Sequence, residues 1–234
     1  MRRLFLIGTL LLGLVCTAQE VHFTIYNFTV EPENVSAVYQ LCDEYFSENK
    51  TEGVTVSLYE NHFNDATNNF SHSIVFSGSL DALGGMYSGE TSDTWTLFRT
   101  RVNQQIKEGF SSAMGRRLVA YGDNGEMHRF QRYYILHVDD MSKYIDSYKE
   151  MMEGNNPNGR LNSMGVFSVG HGPDGANLWI LNSFMDFKTA MAGVGSLRSE
   201  AQENASSKAW DKHREERGEV ELVRSGLRIM LNSW

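Results

Sequence analysis

Histidine is the side chain best suited to moving protons near neutral pH, and this 234-residue chain holds seven. Four of them fall at matching places in two similar stretches. His22 and His137 each sit in an apolar segment rich in β-branched and aromatic residues, and His62 and His171 each lie three residues before an aspartate, Asp65 and Asp174. Alternation puts His137 on one strand face with Tyr133 and Ile135, and His22 on one face with Thr24, Tyr26 and Phe28. It fixes which residues share a face but not which face is inside. A pocket walled by these aromatics, with one or two histidines, suits a small planar ligand and could support proton transfer. His137 is therefore the candidate catalytic residue, and His22, Tyr26, His62, Tyr133 and His171 are candidate ligand contacts. The plainer reading makes His62 and His171 exposed turn residues and His137 a sheet histidine with its hydrogen bonds satisfied.

Other chemistries find less support. There is no His-x-x-x-His, no Glu-x-x-His and no cysteine pair, so no metal site is expected. Covalent catalysis lacks a Gly-x-Ser-x-Gly elbow. Gly170 to Gly175 fits G-x-G-x-x-G, but residues 176–181 read as a strand where a dinucleotide site needs a helix N-terminus. Pro173-Asp174-Gly175 is a hairpin turn. Cys42 shares helical spacing with Val35, Val38, Leu41 and Tyr45, which makes it a buried structural thiol.

The elements that must position these side chains come in a repeated order. Residues 21–30 read as a strand, and Pro32 and Asn34 open an amphipathic helix to about 48. Strands at 54–59 and 71–77 make a hairpin. A helical region opens at Asp81, breaks at Gly84, Gly85 and Gly89, and resumes from 93 with Trp95, Phe98, Val102 and Ile106 on one face. A strand at 116–121 closes the unit. After the turn at 122–126 the order begins again: strand 132–138, helix 141–152, loop 154–159, strands 165–169 and 178–181, an interrupted helical stretch from Asp186 to about 216, and strand 221–231. Spacings repeat as well: His62-x-x-Asp65 with His171-x-x-Asp174, Asp81 and Met86 with Asp186 and Met191, and Trp95-x-x-x-Arg99 with Trp210-x-x-x-Arg214. The second copy carries about ten extra residues around 193–204. The tryptophans are expected to pack their helices onto the sheets, with Arg99 and Arg214 covering an indole face or reaching solvent.

A β-α-β-β-α-β unit is the split βαβ, ferredoxin-like motif, which covers one sheet face with helices and leaves the other bare. Two bare faces packed together bury each other. In this the chain resembles, over residues 20–234, the dimeric α+β barrel superfamily, which includes small monooxygenases of the antibiotic-biosynthesis type. The resemblance implies an α+β fold of two ferredoxin-like repeats, 20–124 and 127–234, packed as a pseudo-dimeric barrel. It rests on element order and duplication, so it carries no residue roles.

The N-terminal residues add a compartment. Arg2-Arg3, the apolar run 4–15 and small residues at Cys16 and Ala18 make an export signal cut before Gln19. Twelve apolar residues are too few to span a bilayer, which takes about 20 in a helix. A lipoprotein anchored at Cys16 is the alternative, and the bulky Val15 disfavours it. Cleavage would leave 216 of the 234 residues, with Cys42 as the remaining cysteine and the formal charge moved from −8 to about −10. An acidic chain without a basic cluster is a poor nucleic-acid binder; the basic residues of 208–217 alternate with Asp211, Glu215 and Glu216 and read as a solvated helix face.

The expected protein is therefore periplasmic or extracellular, a monomer or weak homo-oligomer without a membrane span. It would bind a small apolar or aromatic ligand, and any catalysis, whether oxygenation or proton transfer, would be cofactor-free. The rival expectation is a non-catalytic interaction module whose barrel is filled with side chains.

Overall fold

β-branched and aromatic runs favour a pleated, half-buried backbone, and here they adopt it in the same order twice. The computed structural model describes residues 20–64, 70–89, 91–122, 128–170 and 175–234. The expected export signal (1–18) and residues 171–174, with the candidate His171, lie outside them. The first half runs β1 (His22–Val30), α1 (Val35–Glu48), β2 (Val54–Asn64), β3 (His72–Gly78), α2 (Leu80–Ser88), α3 (Asp93–Asn103) and β4 (Ile106–Tyr121). The second runs β5 (Phe130–Val138), α4 (Met141–Met152), β6 (Arg160–Val169), β7 (Leu178–Phe184), α5 (Phe187–Ala192), α6 (Glu200–Glu216) and β8 (Val220–Ser233). Among the described residues no helix is long and apolar enough to cross a membrane.

Short polar side chains start most of the helices. Ser79, Ser92, Asp140, Asp186 and Ser199 each accept a hydrogen bond from the backbone N–H three residues on. Such a cap contributes about 1 kcal/mol. Asp81, expected to open α2, lies in its first turn instead, where its charge still suits the helix dipole. Ile106, expected on the face of α3, begins β4. That strand starts ten residues earlier than its composition suggests, because ladder pairing with β1 (Val30 with Ile106, Phe28 with Gly109) carries its polar, exposed outer half.

All strand neighbours are antiparallel and the sheet closes in the order β1-β3-β2-β8-β5-β7-β6-β4. Within it, β4-β1-β3-β2 is one ferredoxin-like sheet and β8-β5-β7-β6 is the other. Two seams, β2 with β8 and β4 with β6, join the halves and leave the sheet without edges. This is a pseudo-dimeric α+β barrel of two ferredoxin-like repeats.

The helices pack outside the barrel, over one core cluster in the first half and two in the second. Phe28 and Val30 of β1 meet Val38, Cys42 and Phe46 of α1, so the Cys42 thiol is buried as expected. Leu136 and Val138 of β5 meet Tyr144, Tyr148 and Met152 of α4. The opposite strand faces point into the barrel, and large side chains occupy it. Phe23 of β1 meets Trp179 of β7 edge-on, 5.6 Å between ring centroids, and also contacts Phe167. The Trp179 ring covers Gly165, whose missing side chain makes the room, and the Tyr133 ring covers Gly226 in the same way. Arg228 lies 4.0 Å over the Tyr59 ring and donates from Nε to Gln131 (2.9 Å). At the β2–β8 seam, Trp234 exchanges backbone hydrogen bonds with Val56, donates from its indole to Asp43 (2.9 Å), and packs 5.5 Å from the Phe46 ring.

Candidate ligand-binding cavity

The two halves share a topology, but they fill the space between sheet and helices differently. In the first half Tyr45 stacks on Phe98 at 4.5 Å, Phe46 meets Phe98 at 5.2 Å, and Trp95 meets Phe98 at 5.4 Å and Tyr45 at 5.6 Å. Each such pair is worth about 0.5–1.5 kcal/mol beyond its burial, and the four rings pack against one another between α1 and α3. In the second half the matching region holds a cavity of about 530 Å³. Its floor is Tyr134 and Leu136 of β5 and Ile180 and Asn182 of β7; Tyr144, Tyr148, Met151 and Met152 of α4 form one wall. Ser206, Ser207 and Trp210 of α6 form the other. Val194, Arg198 and Glu203, which also line it, come from the ten extra residues that distinguish the second copy. The insertion that breaks the repeat therefore contributes to the cavity.

Polar groups converge at one end. Tyr148 donates to Asn162 (3.0 Å), and Asn162 donates to Asn182 (2.9 Å). Arg160 donates to the same Asn182 oxygen (3.3 Å) and, from Nε, to Asn156 (2.7 Å). Burial pushes the Tyr148 phenol well above its ordinary value, so it stays a donor. Burial also lowers Arg160, to about 10, which leaves it charged at neutral pH. Arg198 pairs with Glu203 (3.1 Å) and donates to the Asn155 carbonyl (3.2 Å). At the open side Arg217 lies 5.9 Å over the Trp210 ring, while Arg214 takes the solvent-facing of its two expected places and pairs with Asp211.

Behind the aromatic wall sits His213, fully buried, 5.0 Å from the Tyr144 ring and 5.5 Å from Trp210. The Ser147 hydroxyl donates to the Lys143 carbonyl (2.8 Å), so it accepts from His213 Nδ1 (2.9 Å). That leaves the Nε2 lone pair without a partner. Burial first, and the Arg217 charge second, push His213 down to about 4 and keep it neutral.

The residues singled out by sequence fall elsewhere. Tyr133 points into the barrel interior, buried against Gly226. His137 stands on the same face near the end of β5, with Nδ1 2.6 Å from the Gly175 carbonyl and Nε2 3.1 Å from Asp139. Two acceptors favour its protonated form, and the hydrogen bond to Gly175 is the largest cause of its raised pKa. His22 and Tyr26 lie on the opposite, helix-facing side of the first half; Tyr26 hydrogen-bonds Tyr87 of α2 (2.7 Å). His62 is an exposed strand residue beside Glu60 and Phe63, and His171 lies outside the described residues. The structure brings Tyr133 and His137 onto one face and joins neither to the cavity lining. Arg160 and Arg198 were missed because 154–159 reads as a loop and β6 as starting at 165, which hid the first as a turn residue. The insertion was the available signal for the second.

No family model matches the chain, and no curated protein matches its sequence. Solved structures do share its fold. A Fusobacterium nucleatum protein assigned as a monooxygenase superposes with a TM-score of 0.60 at 12% identity, covering 92% of this chain and 94% of that one. A Lactobacillus acidophilus protein with the same assignment gives 0.58 at 14%, covering 92% and 100%. An anthrone oxidase-like protein gives 0.55 at 12%, covering 93% and 94%. The chain thus shares the fold of these structures, an α+β barrel whose two halves here lie in one polypeptide. Identities this low carry architecture and not chemistry.

Proposed function

We propose that the protein is exported and binds a small, largely apolar, ring-bearing molecule in the cavity of its second half. The observation that carries this reading is the cavity of about 530 Å³ walled by Tyr134, Tyr144, Tyr148 and Trp210, where the first half instead stacks Tyr45, Phe46, Trp95 and Phe98 on one another. Cavities of a few hundred Å³ with apolar walls and a few convergent polar groups are the usual form of small-molecule sites. The monooxygenase and oxidase names of the structural neighbours support a further step, cofactor-independent oxygenation or proton transfer on the bound molecule. A second reading, a non-catalytic interaction module, draws support from the side chains that occupy the barrel interior.

Native mass spectrometry of the protein purified from its own host tests the first reading. The expected spectrum shows a chain beginning at Gln19 with a small-molecule mass increment, and the increment disappears in Ser206→Trp, which fills the cavity. A chain with no increment that also fails to bind an apolar fluorescent dye would leave the interaction module as the better account. An N-terminus at Met1 would remove export.

A further inference from the structure

The charged side chains lining the cavity are Arg160, Arg198, Arg217 and Glu203, three cations against one anion in a chain of formal charge −8. The one carboxylate is taken, since Glu203 pairs with Arg198. Arg160 is 6% exposed and, among the described residues, every partner it has is neutral: two asparagine oxygens and, 3.6 Å from Nη2, the Met152 sulfur. A thioether is a weak acceptor, and the Nη1 bond to Asn182 is long at 3.3 Å. A guanidinium taken out of water without an anion is costly. The fork of donors it presents matches a carboxylate, which it can hold through two parallel bonds.

We propose that the ligand is an apolar, ring-bearing carboxylate whose carboxylate group pairs with Arg160 while its rings lie against Tyr134, Tyr144 and Trp210. This rests on the cavity being the binding site, and it adds the charge and the end-to-end orientation of the occupant. The hydrophobic stem of the ligand would cover Trp210 and Leu222, which are 43% and 55% exposed at the open side. Asn156 and Asn182 hold the guanidinium in place, so the site is set before the ligand arrives.

Calorimetric titration with 2-naphthoate and its neutral counterpart 2-naphthylmethanol tests the assignment. In the unsubstituted protein naphthoate should bind about 10- to 100-fold more tightly, the scale of a hydrogen bond to a charged group. In Arg160→Met that preference should collapse while the affinity for naphthylmethanol stays within about twofold, a readout that also shows the cavity intact. Equal affinities for the two probes in the unsubstituted protein would overturn the carboxylate assignment and leave the cavity reading standing. Saturable binding of neither probe would remove the cavity reading itself. If Arg160→Met does not fold, the comparison of probes in the unsubstituted protein decides alone.

Discussion

Acid should destabilise this protein through one buried ring, and the size of the effect can be worked out. His213 is 1% exposed, its Nδ1–H is committed to Ser147, and its Nε2 faces no acceptor. A proton arriving at Nε2 would be buried without a hydrogen bond and near the Arg217 charge. The folded value of about 4 lies below the ordinary 6.5, so between these limits the unfolded chain holds a proton that the folded chain does not. Stability therefore falls as pH drops through this window. With those two values the loss reaches about 1.4 kcal/mol at pH 5.5 as a ceiling, and about 1 kcal/mol after allowing for relaxation around the ring. Urea unfolding of the unsubstituted protein and of His213→Asn, at pH 7.0 and 5.5, isolates the term, since the carboxylates titrate alike in both. The asparagine amide can still donate to Ser147. The stability advantage of histidine over asparagine should shrink by about 1 kcal/mol between the two pH values. An advantage that is the same at both would refute the depressed pKa and the orphaned nitrogen on which it rests.

Three further outcomes are expected. Trp95→Ala should cost about 2 kcal/mol in denaturant unfolding because its indole packs against Tyr45 and Phe98, whereas Trp210→Ala, at the open side of the cavity, should cost under about 1 kcal/mol and weaken probe binding instead. Gly165→Ala should destabilise by about 1–3 kcal/mol, since its methyl would overlap the Trp179 ring and the Arg116 carbonyl; an unchanged unfolding midpoint would show that the barrel interior is looser than described. Cys42, buried and pushed up to about 12 by desolvation, should react with a thiol reagent at pH 8 only when the chain unfolds.

Much of this fold is legible in the sequence, because element order and duplication leave few ways to bury two bare sheet faces. The strands that were misjudged, β4 and β6, start in polar residues such as Lys107, Glu108 and Asn162, whose extended backbone comes from pairing with neighbours and not from propensity. The site was much less legible. Histidines draw attention because they titrate near neutral pH, yet His137 spends both nitrogens at the end of a strand and His62 faces solvent. The cavity depends on what fills the gap between sheet and helices in each half, and in the second half Val194, Arg198 and Glu203 of the insertion line that gap. The extra residues could be counted in the sequence, but where they come to rest could not.

Trp234 binds the halves more deeply than a shared seam suggests. Its indole belongs to the hydrophobic core of the first repeat, beside Phe46 and Asp43, although it follows the final strand of the second. The first repeat cannot complete its own core until residues nearly 200 positions downstream have arrived. Chain segments divided between residues 122 and 128 should thus be unstable apart and recover structure on mixing. Folding is dominated by contacts distant in sequence, which slows it, and unfolding should be a single transition for the whole barrel. What duplication wrote as two units, this tryptophan makes one cooperative body.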